Sequence, residues 1–301
     1  MSLAARIGKT LQRPQFRFGL LVLVPILAWY AFFSFRVNFL GLGMAMVDYK
    51  LLDPGNSPFV GLRHFEMIFT GYELFWTAGL NTLTYAVLVN VCMLPTALVF
   101  AYCLVNVVRG RAWYQWSLYL PVVVSMAAIA LLFRSLMDPD VGALNRLLTS
   151  VGLPRSKWLT GPDSAMYSIV LVDVWKAIGV YIILFTAGLL NIPSEIYDAA
   201  LVDGANPWQT FCRITLPLLG HTLKLVVVLV TIGSLQVYAS ALILTDGGPG
   251  RATYMISQFV LAEAFSYLRF GLASAAATVL FVVIMFVTFV QLRLMRTSWE
   301  F

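Results

Sequence analysis

Asp173 and Lys176 stand three residues apart inside an apolar stretch running from 165 to 190. At helical spacing they share a face, and ionisable groups at such depth mark solute or ion paths, or else pair with each other. Lys176, Ala177 and Val180 continue that face. Gly233, Ser234 and Val237, with Gln236 beside them, form a comparable stripe in a later stretch at 222–244. A central cavity is expected between these stretches, although small residues at this spacing also serve plain helix packing. Catalysis has little to work with. The apolar stretches hold no histidine and no second carboxylate, and Gly8-Lys9-Thr10 lacks the glycine five residues earlier that a phosphate-binding loop needs, since Leu3 stands there.

The elements that must position these groups follow from composition. Of 301 residues, 60% are hydrophobic and only 11% charged, against roughly a quarter charged in soluble chains. A bilayer core of about 30 Å takes around 20 apolar residues per helix. Six stretches qualify, at roughly 18–36, 79–106, 113–135, 165–190, 222–244 and 271–292. Backbone groups in lipid must bond internally, so each stretch is expected to be helical. The fold class is therefore all-α, a polytopic bundle of six transmembrane helices with kinks at Pro25, Pro95 and Pro121. Residues 1–17 and 293–301 form tails, and 18–292 one membrane domain. Arg6, Lys9, Arg13 and Arg17, with no acidic residue before position 48, place the N-terminus in the cytoplasm. Six crossings bring the C-terminus and the Arg109–Arg111 turn to the same side. The net charge of +6 is read as topogenic and lipid-facing, with no nucleic acid implied. Cys92, Cys103 and Cys212 read as small fillers, and neither His64 nor His221 as a metal ligand.

One polar interruption, 191–220, is unusually well punctuated. Ser194 is expected to cap a short helix whose first turn carries Glu195 and Asp198, the sign a helix N-terminus prefers. Asp203-Gly204 ends that helix, because glycine enters the left-handed region without penalty. Asn206-Pro207 starts a second one, and Pro217 is expected to close it. After the fifth stretch, Thr245-Asp-Gly-Gly-Pro249 (Thr245, Gly247, Gly248, Pro249) signals an abrupt turn. Residues 253–270 then read as an amphipathic helix at the outer surface.

The 195–217 segment resembles the cytoplasmic EAA loop of ABC-importer permeases. Its acidic-Ala-Ala triplet is Asp198-Ala199-Ala200, its glycine Gly204, and its Ile-x-Leu-Pro tail Ile214, Leu216 and Pro217. Asp198 departs from the usual glutamate but keeps the charge. Thr-x-Gly-Gly-Pro at 245–249 with Thr253 resembles the carbohydrate-importing branch, the maltose and glycerol-phosphate transporter relatives. Weaker matches run in order from about residue 60 to 290: Asn81-Thr82, Leu120-Pro121, Gly142 with Asn145, Trp175, Gly179, Ala187-Gly188-Leu189 and Ile192-Pro193.

This resemblance implies a permease subunit of the cytoplasmic (inner) membrane that moves a sugar, an oligosaccharide or related polyol, by alternating access. It implies an ATPase-coupling loop made of Glu195, Asp198, Ala199, Ala200, Asp203, Gly204, Ile214, Leu216 and Pro217. The chain itself would be no enzyme and bind no cofactor, with ATP and Mg held by two ATP-binding subunits. A second homologous permease and an extracytoplasmic sugar-binding protein complete the assembly. Tyr181, Tyr238, Trp175 and Gln236 offer aromatic faces and an amide suited to hydroxyl-rich solutes. The rival is an ion-gradient-driven secondary transporter, which favours several intramembrane carboxylates or broken half-helices around a midplane site. Asp173 is the one clear carboxylate.

Overall fold

A computed structural model describes residues 14–106 and 110–295. The basic cluster through Arg13, Arg109 and the 296–301 tail lie outside the described residues. The described chain is helical, its single bridge pairing Val47 with Phe59. Four apolar helices are long enough to cross a membrane unbroken: α1 (Phe18–Met44), α3 (Glu73–Val105), α7 (Pro162–Leu190) and α13 (Phe270–Leu294). A short helix, α2 (Arg63–Gly71), precedes α3.

The other two crossings are bent. The third consists of α4 (Arg111–Val123) and α5 (Met126–Leu136), meeting at 93°. In the fifth apolar stretch, α10 (Gly220–Leu235) follows Pro207–Leu218 at a 71° bend, and past it the chain breaks at 236–238 and resumes as α11 (Ala239–Thr245). The continuous helices expected at 113–135 and 222–244 are thus each two pieces. Prolines are not the cause: Pro25, Pro95 and Pro121 all lie inside helices, and the third-span break falls later, at Val124 and Ser125. The first span also outruns its expected end at 36, carrying Arg36 with its guanidinium 5.2 Å from the Phe32 ring centroid.

At the centre of the bundle is α7, 44% of whose most apolar window is buried, against none for α1. Packing puts α3, α4 and α10 around it. Phe185, Ile169 and Ile182 of α7 meet Met93 of α3 and Val226 and Val230 of α10 in the main core. A second core joins Ile68, Phe75 and Ala78 to Phe259 and Leu272. Polar ties supplement this packing. The Thr231 hydroxyl donates to Asn90 Oδ1 at 3.1 Å and accepts from Gln291 Nε2 at 2.8 Å, linking α10 with α3 and α13. His64 is buried and bonds the Ala45 carbonyl at 2.9 Å, so its role is to hold the end of α1 against α2. Cys92 and Cys103 are exposed on α3, not core fillers.

By alternation of the crossings, the connections 45–72, 137–161 and 246–269 share one face, and 191–219 lies on the other. On the first face, α6 (Ala143–Ser150) is organised by buried Asn145. Its amide donates to the Pro139 and Ser156 carbonyls, and its Oδ1 accepts from Ser156 N and Trp158 Nε1, all at 2.9–3.0 Å. Backbone N–H groups of Val141 and Asp140 hold the Asp138 carboxyl below the usual range. The Thr245–Pro249 turn is similarly knotted. Thr253 Oγ1 contacts Thr245 Oγ1 and donates to the Gly248 carbonyl, both at 2.7 Å. Gly247 sits at φ 78, where a methyl would stand 2.6 Å from Tyr254 Cδ2. Asn81 at the head of α3 donates to the Arg251 and Tyr254 carbonyls at 2.8 and 3.1 Å. The surface helix read at 253–270 forms as α12 (Ile256–Leu261) and a π-turn at Ala262–Ser266, packed between α3 and α13.

Candidate functional site

The first site is the hairpin between α7 and α10. Its helices are α8 (Ser194–Val202) and α9 (Pro207–Leu218). Pro193 occupies the N-cap position and Ser194 is already helical without a capping bond, which corrects the expected cap. Gly204 ends α8 at φ 72. Asn206 and Gln209 form a reciprocal capping box at 2.8 and 3.0 Å, the sharpest start signal a short helix can carry. Pro217 does not close α9. The helix runs through it to Leu218, and the turn to α10 comes at Leu219 with a 71° bend. Pro217 directly follows a π-turn (Phe211–Thr215) and sits at the start of the short α segment Leu216–Leu218, where a missing N–H is tolerated.

The hairpin divides into an inner and an outer surface. Ala200 and Thr215 are buried, and Ile214 and Leu216 half-buried, facing the membrane domain. Phe211 packs edge-on to Tyr102 at the end of α3, with centroids 5.2 Å apart. Glu195, Asp198, Ala199, Asp203, Gly204 and Pro217 are exposed. The two helices also expose three large apolar side chains that the sequence alone did not mark: Leu201, Val202 and Trp208, exposed by 76%, 87% and 73%. A methyl on Gly204 meets nothing within 4 Å, so its demand is conformational.

The second site is a cavity of about 460 Å³ among α3, α7 and the two broken spans. Asp173, Lys176, Ala177, Gly233, Ser234, Gln236 and Val237 all line it, as do Tyr181 and Tyr238. Val180 does not, and Trp175 faces away to pack on Phe133 with centroids 5.3 Å apart. Both span breaks reach this cavity, one through Met126 and the other through 236–240. Irregular backbone at membrane depth is tolerable where it lines such a space.

Asp173 and Lys176 are not paired to each other. Among the described residues the sole ion pair joins Arg269 to Glu263, at 3.6 Å. Instead Asp173 Oδ2 accepts from Tyr85 Oη at 2.5 Å, and Ser240 lines the same cavity. Lys176 Nζ donates to the Val122 carbonyl at 3.3 Å. Tyr85 and Ser240 were missed from sequence; the one signal was a tyrosine within an apolar run. Gln236 and Tyr238 also border a second cavity of about 440 Å³, whose walls include Ser257, Val260 and Leu280.

A bent-span bundle, an inner cavity and a punctuated hairpin on one face define a membrane permease. The model of the family described as binding-protein-dependent transport system inner membrane component matches residues 93–298, and this chain belongs to that family. It is 32% identical over 284 residues to the probable ABC transporter permease protein YurN of Bacillus subtilis, covering 93% of this chain and 96% of that one. It is 34% identical over 243 residues to the trehalose/maltose transport system permease protein MalF of Thermococcus litoralis, covering 80% and 81%. Among solved structures, a bacterial alginate ABC transporter in complex with an alginate pentasaccharide-bound periplasmic protein matches at a TM-score of 0.80 and 27% identity, covering 98% of this chain and 100% of that one. The chain is thus a permease subunit of an ABC importer, a transport component and not an enzyme.

Proposed function

We propose that this permease imports a sugar, an oligosaccharide or related polyol, handed to it by an extracytoplasmic binding protein and driven by ATP hydrolysis on partner subunits. The observation carrying this is the hairpin surface: Leu201, Val202 and Trp208 exposed on its two short helices, the second of which is capped by Asn206 and Gln209. A large apolar group left in water costs about 1.5–3 kcal/mol relative to burial, so these side chains together imply a partner. The acids Glu195, Asp198 and Asp203 are exposed on the same hairpin, and the partner assigned is an ATP-binding subunit, with ATP and Mg held there. The hairpin side, with both termini, is the cytoplasmic one. A second, homologous permease completes the membrane unit, and the cavity beside Asp173 and Lys176 forms part of the translocation path.

In this mechanism, closure of the ATP-binding pair pulls the hairpin, which moves α7 and α10 directly and α3 through Phe211 and Tyr102. The cavity then opens to the binding protein, and hydrolysis resets it. Relatives named for sugars support the substrate class, and Tyr181, Tyr238 and Gln236 supply suitable surfaces. The test is reconstitution with partner subunits and binding protein in vesicles. Uptake that requires internal ATP and is blocked by vanadate supports the reading. Uptake abolished by an ionophore and indifferent to ATP overturns it in favour of a gradient-driven carrier.

A further inference from the structure

The elbow of the third span has both helix ends capped, from different parts of the chain. Ser125 Oγ accepts from Ala128 N at 3.3 Å, satisfying the start of α5. On the other side, Val124 turns extended at ψ 139, so the last carbonyls of α4 lose the donors a further turn would supply. The Val122 carbonyl is taken by Lys176 Nζ, a residue 54 positions away. One turn along α7, Gly179 lets the α4 backbone lie directly against it: a methyl there would drive into the Leu118 carbonyl and stand 2.9 Å from Tyr119 Cα. Gly179 sets the approach of the helices, and Lys176 spans the remaining gap to the elbow. A cation also suits a helix C-terminus. Asp173 makes no ion pair with the ammonium; its Oδ2 accepts from Tyr85.

We propose that Lys176 is a positioning residue of the transport cycle: its ammonium caps α4 and thereby fixes the elbow that carries Met126 into the cavity wall. The charge is retained in an apolar helix because the bend leaves an acceptor that no local donor reaches. The consequence for transport rests on the proposed function, whereas the elbow geometry does not, and the test separates them.

The experiment uses the transporter assembled with its partner subunits in nanodiscs, with Cys92, Cys103 and Cys212 replaced by serine. Spin labels are placed at Leu120 and Leu131, exposed by 67% and 61% on opposite sides of the elbow, and their distance distribution is read without nucleotide. Lys176→Met should shift and broaden that distribution and lower transport-coupled ATPase turnover about tenfold, the effect expected of one lost charged hydrogen bond. Lys176→Arg should restore both. Should the methionine variant fail to assemble, Lys176→Gln takes its place, being polar but too short to reach Val122. An unchanged distance distribution in the variant that assembles overturns the proposal. So does failure of Lys176→Arg with the elbow unmoved, which would make Lys176 a solute contact. A wild-type complex that shows no ATP-dependent uptake when reconstituted in vesicles would sink the functional reading while leaving the elbow result standing.

Discussion

The two spans flanking the hairpin touch through a glycine, and that contact yields a quantitative expectation. Gly188 lies near the end of α7 and Thr222 near the start of α10. A methyl on Gly188 would drive into Thr222 Oγ1 and come within 2.9 Å of its Cβ and Cγ2. Rotating the threonine only exchanges Oγ1 for Cγ2, and Cβ cannot leave. Reaching ordinary contact near 3.4 Å therefore requires the helices to part by several tenths of an ångström. Overpacking of this kind costs typically 1–3 kcal/mol. Gly188→Ala should accordingly destabilise the purified complex and weaken the ATPase response to binding protein, because the seam sits where hairpin motion enters both spans. Thr222→Ala removes Oγ1 and Cγ2, so the double variant should recover roughly 1 kcal/mol, a non-additivity expected of residues in contact. Melting of the reconstituted complex and its stimulated ATPase rate provide the readouts. Purely additive effects, or a harmless Gly188→Ala, would refute the argument.

Other outcomes follow from the same geometry. Trp208→Ala should leave the chain's own stability within about 1 kcal/mol, since the ring is 73% exposed. It should nonetheless weaken copurification with the ATP-binding subunit by up to about 3 kcal/mol, the order of burying a large apolar side chain. Tyr85→Phe strips half-buried Asp173 of its hydroxyl donor, which should cost about 1 kcal/mol, to be seen as a lower melting temperature and slower uptake. Burial raises the carboxyl pKa of Glu263, with Arg269 opposing. The neutral form thus favours the fold, and stability falls as pH rises through the raised value. Glu263→Gln should remove that fall, measured by melting between mildly acidic and mildly alkaline pH.

Long uninterrupted apolar runs made α3, α7 and α13 legible in the sequence. The hairpin was legible for a different reason: Gly204 and Asn206-Pro207 are local punctuation whose backbone demands do not depend on the rest of the fold. The span breaks were not. Val124-Ser125 and Gln236-Val237-Tyr238 contain neither glycine nor proline; at the first break Lys176 of α7 takes up the freed Val122 carbonyl, and both breaks border the cavity. The same limit applied to Asp173 and Lys176. Spacing put them on one face, but their partners, Tyr85 and Val122, lie 88 and 54 residues away. Val180 follows Lys176 by four residues and still misses the cavity, since α7 is surrounded and only part of its circumference borders that space. Arg36 read as the end of the first span, yet its stem and the Phe32 ring let the helix continue to Met44.

In the proposed function the Ser194–Leu218 hairpin is held from the cytoplasm by an ATP-hydrolysing subunit. A photo-reactive amino acid at Val202, 87% exposed at the end of α8, tests it in intact cells expressing the whole transporter. The expected result is a crosslinked product containing the ATP-binding subunit, lost on Gly204 substitution by a bulky residue that leaves membrane insertion intact. Crosslinks only to extracytoplasmic protein, or none to any ATPase in an actively importing strain, would contradict it.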